Sequence, residues 1–192
     1  MNSYICFTFL IIATCLSENL GLTEQEKREF VDAHNVRRNQ VARGQVRNQP
    51  AASNMKNLVW DNELYKKASA WAKKNRKNHN PDKSVPSGRF KTGENLYWYS
   101  TTARNYNLRP EQVVQSWFSE HANYTFGPIK NSDFDGSKNY QIGHYTQIVW
   151  ADTTHVGCEI LPTNKGRWKK FFAVCNYGPA GNFLGEVPYK KA

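Results

Sequence analysis

Residues 156–177, VGCEILPTNKGRWKKFFAVCNY, contain two apolar runs on either side of a short polar segment. The runs at 156–160 and 171–177 are rich in the β-branched, aromatic and aliphatic residues that are typical of strands. The polar segment at 162–166, PTNKG, has the composition of a turn. We therefore predict an antiparallel β-hairpin whose two strands are joined at this turn.

The chain before the hairpin has helical patterns with recognisable start signals. Thr23 and Glu26 form a capping-box pattern, which predicts a helix from Thr23 towards Arg43. Asp61 can cap a second helix, and Pro110 suits the first position of a third. The apolar residues of the second helix recur at helical spacing: Leu64, Ala68, Trp71 and Ala72.

Residues 144–150 lie between the third helix and the hairpin and change to a period of two. Tyr145, Gln147 and Val149 alternate with the other residues of HYTQIVW, which predicts a further strand. Helices come first and strands later, with no β-α-β alternation. This order predicts an α+β fold in which an antiparallel sheet is covered by helices.

Length and composition are those of one globular domain. The 192 residues are 39% hydrophobic, which excludes a disordered or a collagen-like chain. Lys and Arg number 26 against 16 Asp and Glu, which leaves a formal net charge of +10. Such a balance favours anionic partners, among them nucleic acid, glycosaminoglycan and lipid headgroups, and does not specify a fold.

The amino-terminal segment has the features of a secretory signal peptide. Two threonines are the only polar interruptions in the stretch 4–16, which is too short to span a bilayer. Cys15 and Ser17 supply small residues for cleavage. We predict a signal peptide at 1–17 and a secreted single domain at 18–192, which contains no later stretch suited to a transmembrane anchor.

Two of the four cysteines remain once the signal peptide is removed. Cys6 and Cys15 lie within it, so Cys158 and Cys175 are left to pair in the oxidising secretory route. Two buried free thiols are the alternative. Secretion also gives meaning to the Asn-Tyr-Thr sequon that begins at Asn123, which is a candidate glycosylation site.

Four motifs resemble signatures of the CAP superfamily, which comprises cysteine-rich secretory proteins, antigen 5 and pathogenesis-related 1 proteins. The two longest are GHYTQIVWADT at 143–153 and FAVCNYGPAGNF at 172–183. HNVRR at 34–38 resembles the family's HNxxR, and GENL at 93–96 matches its GENL. The resemblance extends over nearly all of the chain after the signal peptide. It implies an α-β-α sandwich with a central antiparallel sheet, as in venom-allergen-like secreted proteins.

The resemblance also implies a shared cavity that is built from two histidines and two glutamates: His79, Glu94, Glu120 and His144. The helical spacing from Val113 and Trp117 independently places Glu120 on an apolar stripe, where a carboxylate must reach solvent or meet a cation, a histidine or a metal. Imidazole and carboxylate both bind Zn²⁺. The predicted cofactor is thus Zn²⁺ or another divalent cation, held in the cavity without being required.

For function, the resemblance implies binding of small lipids, sterols or fatty acids, by an extracellular effector. We predict binding rather than catalysis, because no Ser, Cys or Thr lies in a motif that would activate it as a nucleophile. The alternatives are a metal-dependent hydrolase that uses the two histidines and two glutamates, and a glycosaminoglycan-binding effector. His34 and Arg38 lie one helical turn apart and are interpreted as structural residues.

A basic cluster follows the second helix and fits a loose heparin-type pattern: Lys73, Lys74, Arg76 and Lys77. Residues 167–170, RWKK, add cations around a tryptophan near the hairpin turn. A solvated charged face is the simpler interpretation of both. The expected partners are lipids, with anionic glycans or host proteins as alternatives. We expect no nucleic acid, because the chain is secreted, and a monomer or weak dimer.

Overall fold

The computed structural model describes residues 21–192 and places a four-stranded sheet between two layers of helices. The helices are α1 (Glu24–Ala42), α2 (Asn62–Lys74), α3 (Pro110–Phe118) and α4 (Gly143–Ile148). The strands are β1 (Val59–Trp60), β2 (Gly93–Thr101), β3 (His155–Lys165) and β4 (Trp168–Gly178). Two 3₁₀ helices follow α3, at Ser119–Asn123 and Asn131–Phe134. The predicted signal peptide lies outside the described residues.

The sheet has the strand order β1-β3-β4-β2. β3 and β4 form the predicted antiparallel hairpin, and β2 pairs antiparallel with the other edge of β4. The two-residue β1 is the exception, because it runs parallel to β3. Cys158 lies directly opposite Cys175 in the hairpin, and the two are joined by the predicted disulfide. The predicted α+β fold and α-β-α sandwich are confirmed.

Alternation along β4 separates the two layers of the core. Phe172 and Val174 pack with α2 on one face of the sheet. Ala173 and Cys175, one position out of phase, belong to the larger cluster that α1, α3 and α4 form on the other face. Successive side chains of a strand point to opposite faces, so a single strand serves both layers.

α2 lies directly on the backbone of β3 and runs towards the hairpin turn. A Cβ atom at Gly157 would lie 2.1 Å from the backbone nitrogen of Tyr65, so only glycine permits this contact at the start of α2. Trp71, near the end of α2, packs in one cluster with Phe172 and Leu161, which lie closer to the turn. The carboxyl end of α2 therefore points towards the same end of the sheet as the turn.

The start signals of the three predicted helices are confirmed. The Thr23 hydroxyl accepts a hydrogen bond from the Glu26 backbone N–H at 3.2 Å, and the Glu26 carboxylate accepts one from the Thr23 N–H at 2.8 Å. Asp61 accepts from the N–H of Leu64 at 2.9 Å. Pro110 is the first residue of α3. Each of these signals acts within one helical turn, which is why the sequence shows it.

The predicted strand at 144–150 is wrong, because residues 143–148 form α4. The period of two does not correspond to one buried and one exposed face, because the consecutive residues 145–148 are all buried. The amino end of α4 is capped by Glu120, whose carboxylate accepts from the N–H groups of His144 and Tyr145 at 3.0 and 3.2 Å. The capping residue lies 24 positions before His144, so no local pattern indicates it.

Two further features of the sheet differ from the prediction. β2 was not predicted, yet its nine residues pair along β4 from Gly93 to Thr101. The hairpin strands are also longer than expected, so residues 162–165 lie in β3 and the turn is at Gly166 and Arg167. Gly166 has a φ of +59°, a conformation that glycine adopts without steric cost.

Arg38 connects α1 to the segment between α4 and β3. Its side chain is fully buried, and in the described structure the guanidinium donates to backbone carbonyls. These are the carbonyls of Lys56, Ile148, Trp150, Ala151 and Thr153, at distances from 2.6 to 3.4 Å. Burial lowers the pKa of Arg38 to about 9, because the charged form loses its hydration. The structural role predicted for Arg38 is thus the one that it has.

His34 begins a second buried network. Its Nδ1 donates to the Phe30 carbonyl at 2.7 Å, so the unprotonated Nε2 accepts from the Tyr177 hydroxyl at 2.8 Å. The Asn95 amide donates to the Tyr177 hydroxyl at 3.2 Å and to the His144 carbonyl at 3.1 Å. Burial lowers the pKa of His34 to about 4, which keeps the imidazole neutral.

Arg38→Met is expected to lower the free energy of unfolding by about 3 kcal/mol or more, because it leaves several buried carbonyls without a donor. Urea unfolding monitored by circular dichroism measures the loss. Arg43→Met is the matched control, since Arg43 is exposed at the end of α1 and its loss should change little. An Arg38→Met protein as stable as wild type would contradict the structural role of Arg38.

His34 makes stability fall as the pH drops from about 6.5 to about 4. Its pKa is lowered in the folded state, so the unfolded chain binds the proton more readily and gains population over that interval. The expected loss from this group is about 3 kcal/mol across the whole interval. Urea midpoints at several pH values measure it, and His34→Gln should show a flatter profile. An unchanged slope in that variant would exclude His34 as the source.

Candidate functional site

A cleft of about 820 Å³ lies between β2, the end of α3 and the segment that precedes α4. All four residues that the CAP resemblance singled out line it: His79, Glu94, Glu120 and His144. Aromatic and aliphatic side chains form much of the remaining wall: Leu96, Trp98, Trp117, Phe134, Tyr140 and Ile142. A volume of this size with a mixed lining is typical of a small-molecule site.

His79 and Glu94 form the first polar pair of the cleft. The His79 Nδ1 donates to the Glu94 Oε1 at 2.8 Å, and the Asn80 backbone N–H donates to the same oxygen at 2.9 Å. The Glu94 side chain is 2% exposed, whereas that of His79 is 56% exposed. In the described structure the other carboxylate oxygen, Glu94 Oε2, is buried and has no hydrogen-bond partner. This pair therefore keeps one acceptor unused.

Glu120 and His144 form the second pair. The His144 Nδ1 donates to the Glu120 Oε1 at 2.6 Å, while the other oxygen of Glu120 caps α4. The His144 ring also stacks on Trp117, with 6.0 Å between ring centroids and 21° between planes. Of the fates open to Glu120 on its apolar stripe, the structure shows contact with a histidine.

The four residues form two pairs rather than one four-ligand cluster. Within residues 21–192, no three His, Cys, Asp or Glu side chains are arranged to hold a metal ion together. In each pair, however, a carboxylate accepts from Nδ1, which is the arrangement that orients metal-binding histidines and leaves Nε2 as the donor to the metal. Neither pair contains a serine, cysteine or threonine that a base could activate.

The other predicted sites lie away from the two polar pairs of the cleft. Asn123 is exposed at the end of a 3₁₀ helix, where a glycan has room. The basic residues of the α2 cluster are all exposed: Lys73, Lys74, Arg76 and Lys77. Lys77 also lines the cleft, so the basic cluster adjoins its rim.

The aromatic wall of the cleft was not predicted. Trp98 comes from β2, Phe134 is the last residue of the second 3₁₀ helix, and Tyr140 comes from the segment between that helix and α4. Their exposed fractions are 44%, 45% and 42%. These residues share no spacing in the sequence, and the strand that carries Trp98 was itself missed. The only local signal for the wall in the sequence is Trp98 itself, an exposed aromatic residue in a segment where no strand was predicted.

Comparison with known proteins tests the resemblance that the four motifs indicated. The family model described as "CAP: Cysteine-rich secretory protein family" matches residues 31–177. The chain belongs to the CAP family. This CAP protein is 40% identical over 175 residues to Venom allergen 5 of Rhynchium brunneum, an alignment that covers 88% of this chain and 75% of that protein. Venom allergen 5 of Vespula flavopilosa is 39% identical, with coverages of 88% and 82%.

Solved structures with the same architecture support the assignment. The crystal structure of NaASP2 with Zn2+ aligns with a TM-score of 0.75 and 30% identity, covering 91% of this chain and 90% of that chain. The structure of BmVAL-1 aligns with a TM-score of 0.72 and 27% identity, covering 89% and 84%. None of the helices between residues 21 and 192 combines the length and apolar character that a bilayer span needs.

Proposed function

We propose that this CAP protein is secreted and binds small lipids, sterols or fatty acids, in the central cleft, and that it acts by binding rather than by catalysis. The observation that carries the proposal is the cleft itself, with a volume of about 820 Å³ and an aromatic wall above two polar pairs. Secretion, with residues 1–17 removed and 18–192 as a single domain, is supported by membership of a family of secretory proteins.

The two parts of the cleft suit the two parts of a small lipid. Trp98, Phe134 and Tyr140 expose apolar surface that a hydrocarbon chain or sterol ring would cover, at a gain of about 25 cal/mol per Å². The Nε2 atoms of His79 and His144 can accept from a sterol hydroxyl, and in the protonated imidazolium form they can donate to a fatty-acid carboxylate. An amphipathic ligand therefore has a complementary surface at each end.

The lipid-binding site is tested by filling the cleft from the rigid helix α3. Ser116 is half-buried and lines the cleft, so Ser116→Phe should weaken binding of fluorescent sterol and fatty-acid probes by about tenfold or more. Ser119→Phe is the matched control, because Ser119 is exposed and lies outside the cleft lining. Fluorescence titration of the delipidated protein measures both. Saturable binding that Ser116→Phe leaves unchanged would exclude the central cleft as the lipid site. An absence of binding to wild type would exclude lipid binding.

A divalent cation in the cleft is a second candidate ligand, favoured by the two carboxylate-oriented histidines. We propose that His79 and His144 hold Zn²⁺ through Nε2, with Glu94 and Glu120 as the residues that orient them. A similar chain has been crystallised with Zn2+. A bound ion would supply positive charge for an anionic lipid head group. The donor atoms have the right chemistry, and their arrangement in two pairs favours a weak, exchangeable site over a closed structural one.

Zinc binding is tested by calorimetric titration of the protein with zinc chloride. We expect His79→Ala to weaken the affinity by more than about tenfold, because one of two metal donors is lost. His155→Ala is the control, since His155 bonds to Thr154 and lies outside the cleft. No measurable binding to wild type, or an equal loss in both variants, would contradict the site. Repeating the lipid titration with and without zinc shows whether the two ligands are linked.

A further inference from the structure

The end of the sheet at the β3–β4 turn is rich in cations, and the two sequence segments that lie beside it contain no acidic residue. Neither residues 95–110 nor residues 160–185 contain an Asp or a Glu. Six cations lie in these two segments beside the turn and the end of β2: Arg104, Arg109, Lys165, Arg167, Lys169 and Lys170. The two segments are in contact, since the Lys169 ammonium donates to the Asn107 side-chain oxygen at 3.1 Å.

The carboxyl end of α2 and the residues after it add four exposed cations: Lys73, Lys74, Arg76 and Lys77. α2 runs along β3 towards the turn, which brings Lys73 and Lys74 to this side of the molecule, and Lys77 continues the positive surface to the rim of the cleft. None of the ten cations forms an ion pair with a carboxylate of residues 21–192. We call these ten residues, together with Trp168, the basic end. Its charge is available to a partner.

Exposed tryptophan interrupts this positive surface. Trp168 is 41% exposed beside the turn, and the Arg167 guanidinium lies 5.5 Å from the centroid of its ring. Trp168, Lys170 and Phe172 share one face of β4, and the exposed Trp98 stacks on Phe172 with 5.0 Å between centroids. The part of this face that α2 does not cover thus presents two indole rings, those of Trp98 and Trp168, among cations.

We propose that the basic end docks this protein on an anionic lipid bilayer, with Trp168 seated among the lipid headgroups. Clustered Lys and Arg are attracted by the negative surface potential of such a bilayer, and an indole ring with its polar N–H favours the interface between headgroups and hydrocarbon. A sulfated glycan would need the cations alone and would leave the tryptophans unexplained. The proposal concerns the outer surface and does not rest on lipid binding in the cleft.

Docking is tested by co-sedimentation of the protein with vesicles of phosphatidylcholine alone and of phosphatidylcholine mixed with phosphatidylserine. We expect binding at least about tenfold stronger to the mixed vesicles, weakening as salt is added. Charge reversal with Lys165→Glu, Arg167→Glu and Lys170→Glu should abolish this preference. Its matched control has the same net charge but changes exposed lysines elsewhere: Lys56→Glu, Lys83→Glu and Lys130→Glu. Circular dichroism checks that both triple variants are folded.

The role of Trp168 is separated from that of charge by Trp168→Ala, which keeps every cation. We expect it to weaken vesicle binding by about fivefold and to remove most of the fluorescence quenching by brominated lipids. Phe183→Ala is the control, because Phe183 is exposed to a similar extent outside the basic end. Equal binding to both vesicle types, or equal losses in the two charge-reversal variants, would overturn the proposal. Retention on heparin without vesicle binding would replace it with a glycan partner.

Discussion

The fold depends on one buried guanidinium. Arg38 donates to the carbonyl oxygens at the end of α4 and in the connection to β3. A neutral side chain could not satisfy so many acceptors at once, and a carboxylate partner would occupy the donors that the carbonyls need. Holding the end of α4 in place also holds His144 at its start, so the geometry of the cleft follows from this contact.

The motif residues that resemble family signatures serve the fold and the site together. His34, Tyr177 and Asn95 form a continuous hydrogen-bonded path from α1 through β4 to β2, and Asn95 continues it to the His144 carbonyl. Asn95 is the neighbour of Glu94 on β2. The network thus sets the two polar pairs relative to each other, and its Asn95 also lines the cleft. A buried network holds a site in one geometry only when its polar groups are fully hydrogen-bonded.

The cleft and the basic end meet at the edge of the sheet. Trp98 lines the cleft and also stacks on Phe172, and Lys77 belongs to both the α2 cluster and the cleft rim. A protein seated on a bilayer through the basic end would have the cleft close to the lipid surface. The same residues would then connect a surface that recognises charge with a cavity that suits a hydrocarbon chain.

The sequence by itself determined the elements whose stabilising contacts are local: the capped starts of α1 and α2, Pro110 at the start of α3, and the hairpin that brings Cys158 opposite Cys175. The family resemblance also identified the four polar cleft residues. Only the tertiary structure decided that residues 143–148 form a helix, because its cap comes from Glu120 and its side chains are buried all round. The pairing of those four residues and the aromatic wall were likewise decided by contacts between distant segments, which leave no periodic signal in the chain.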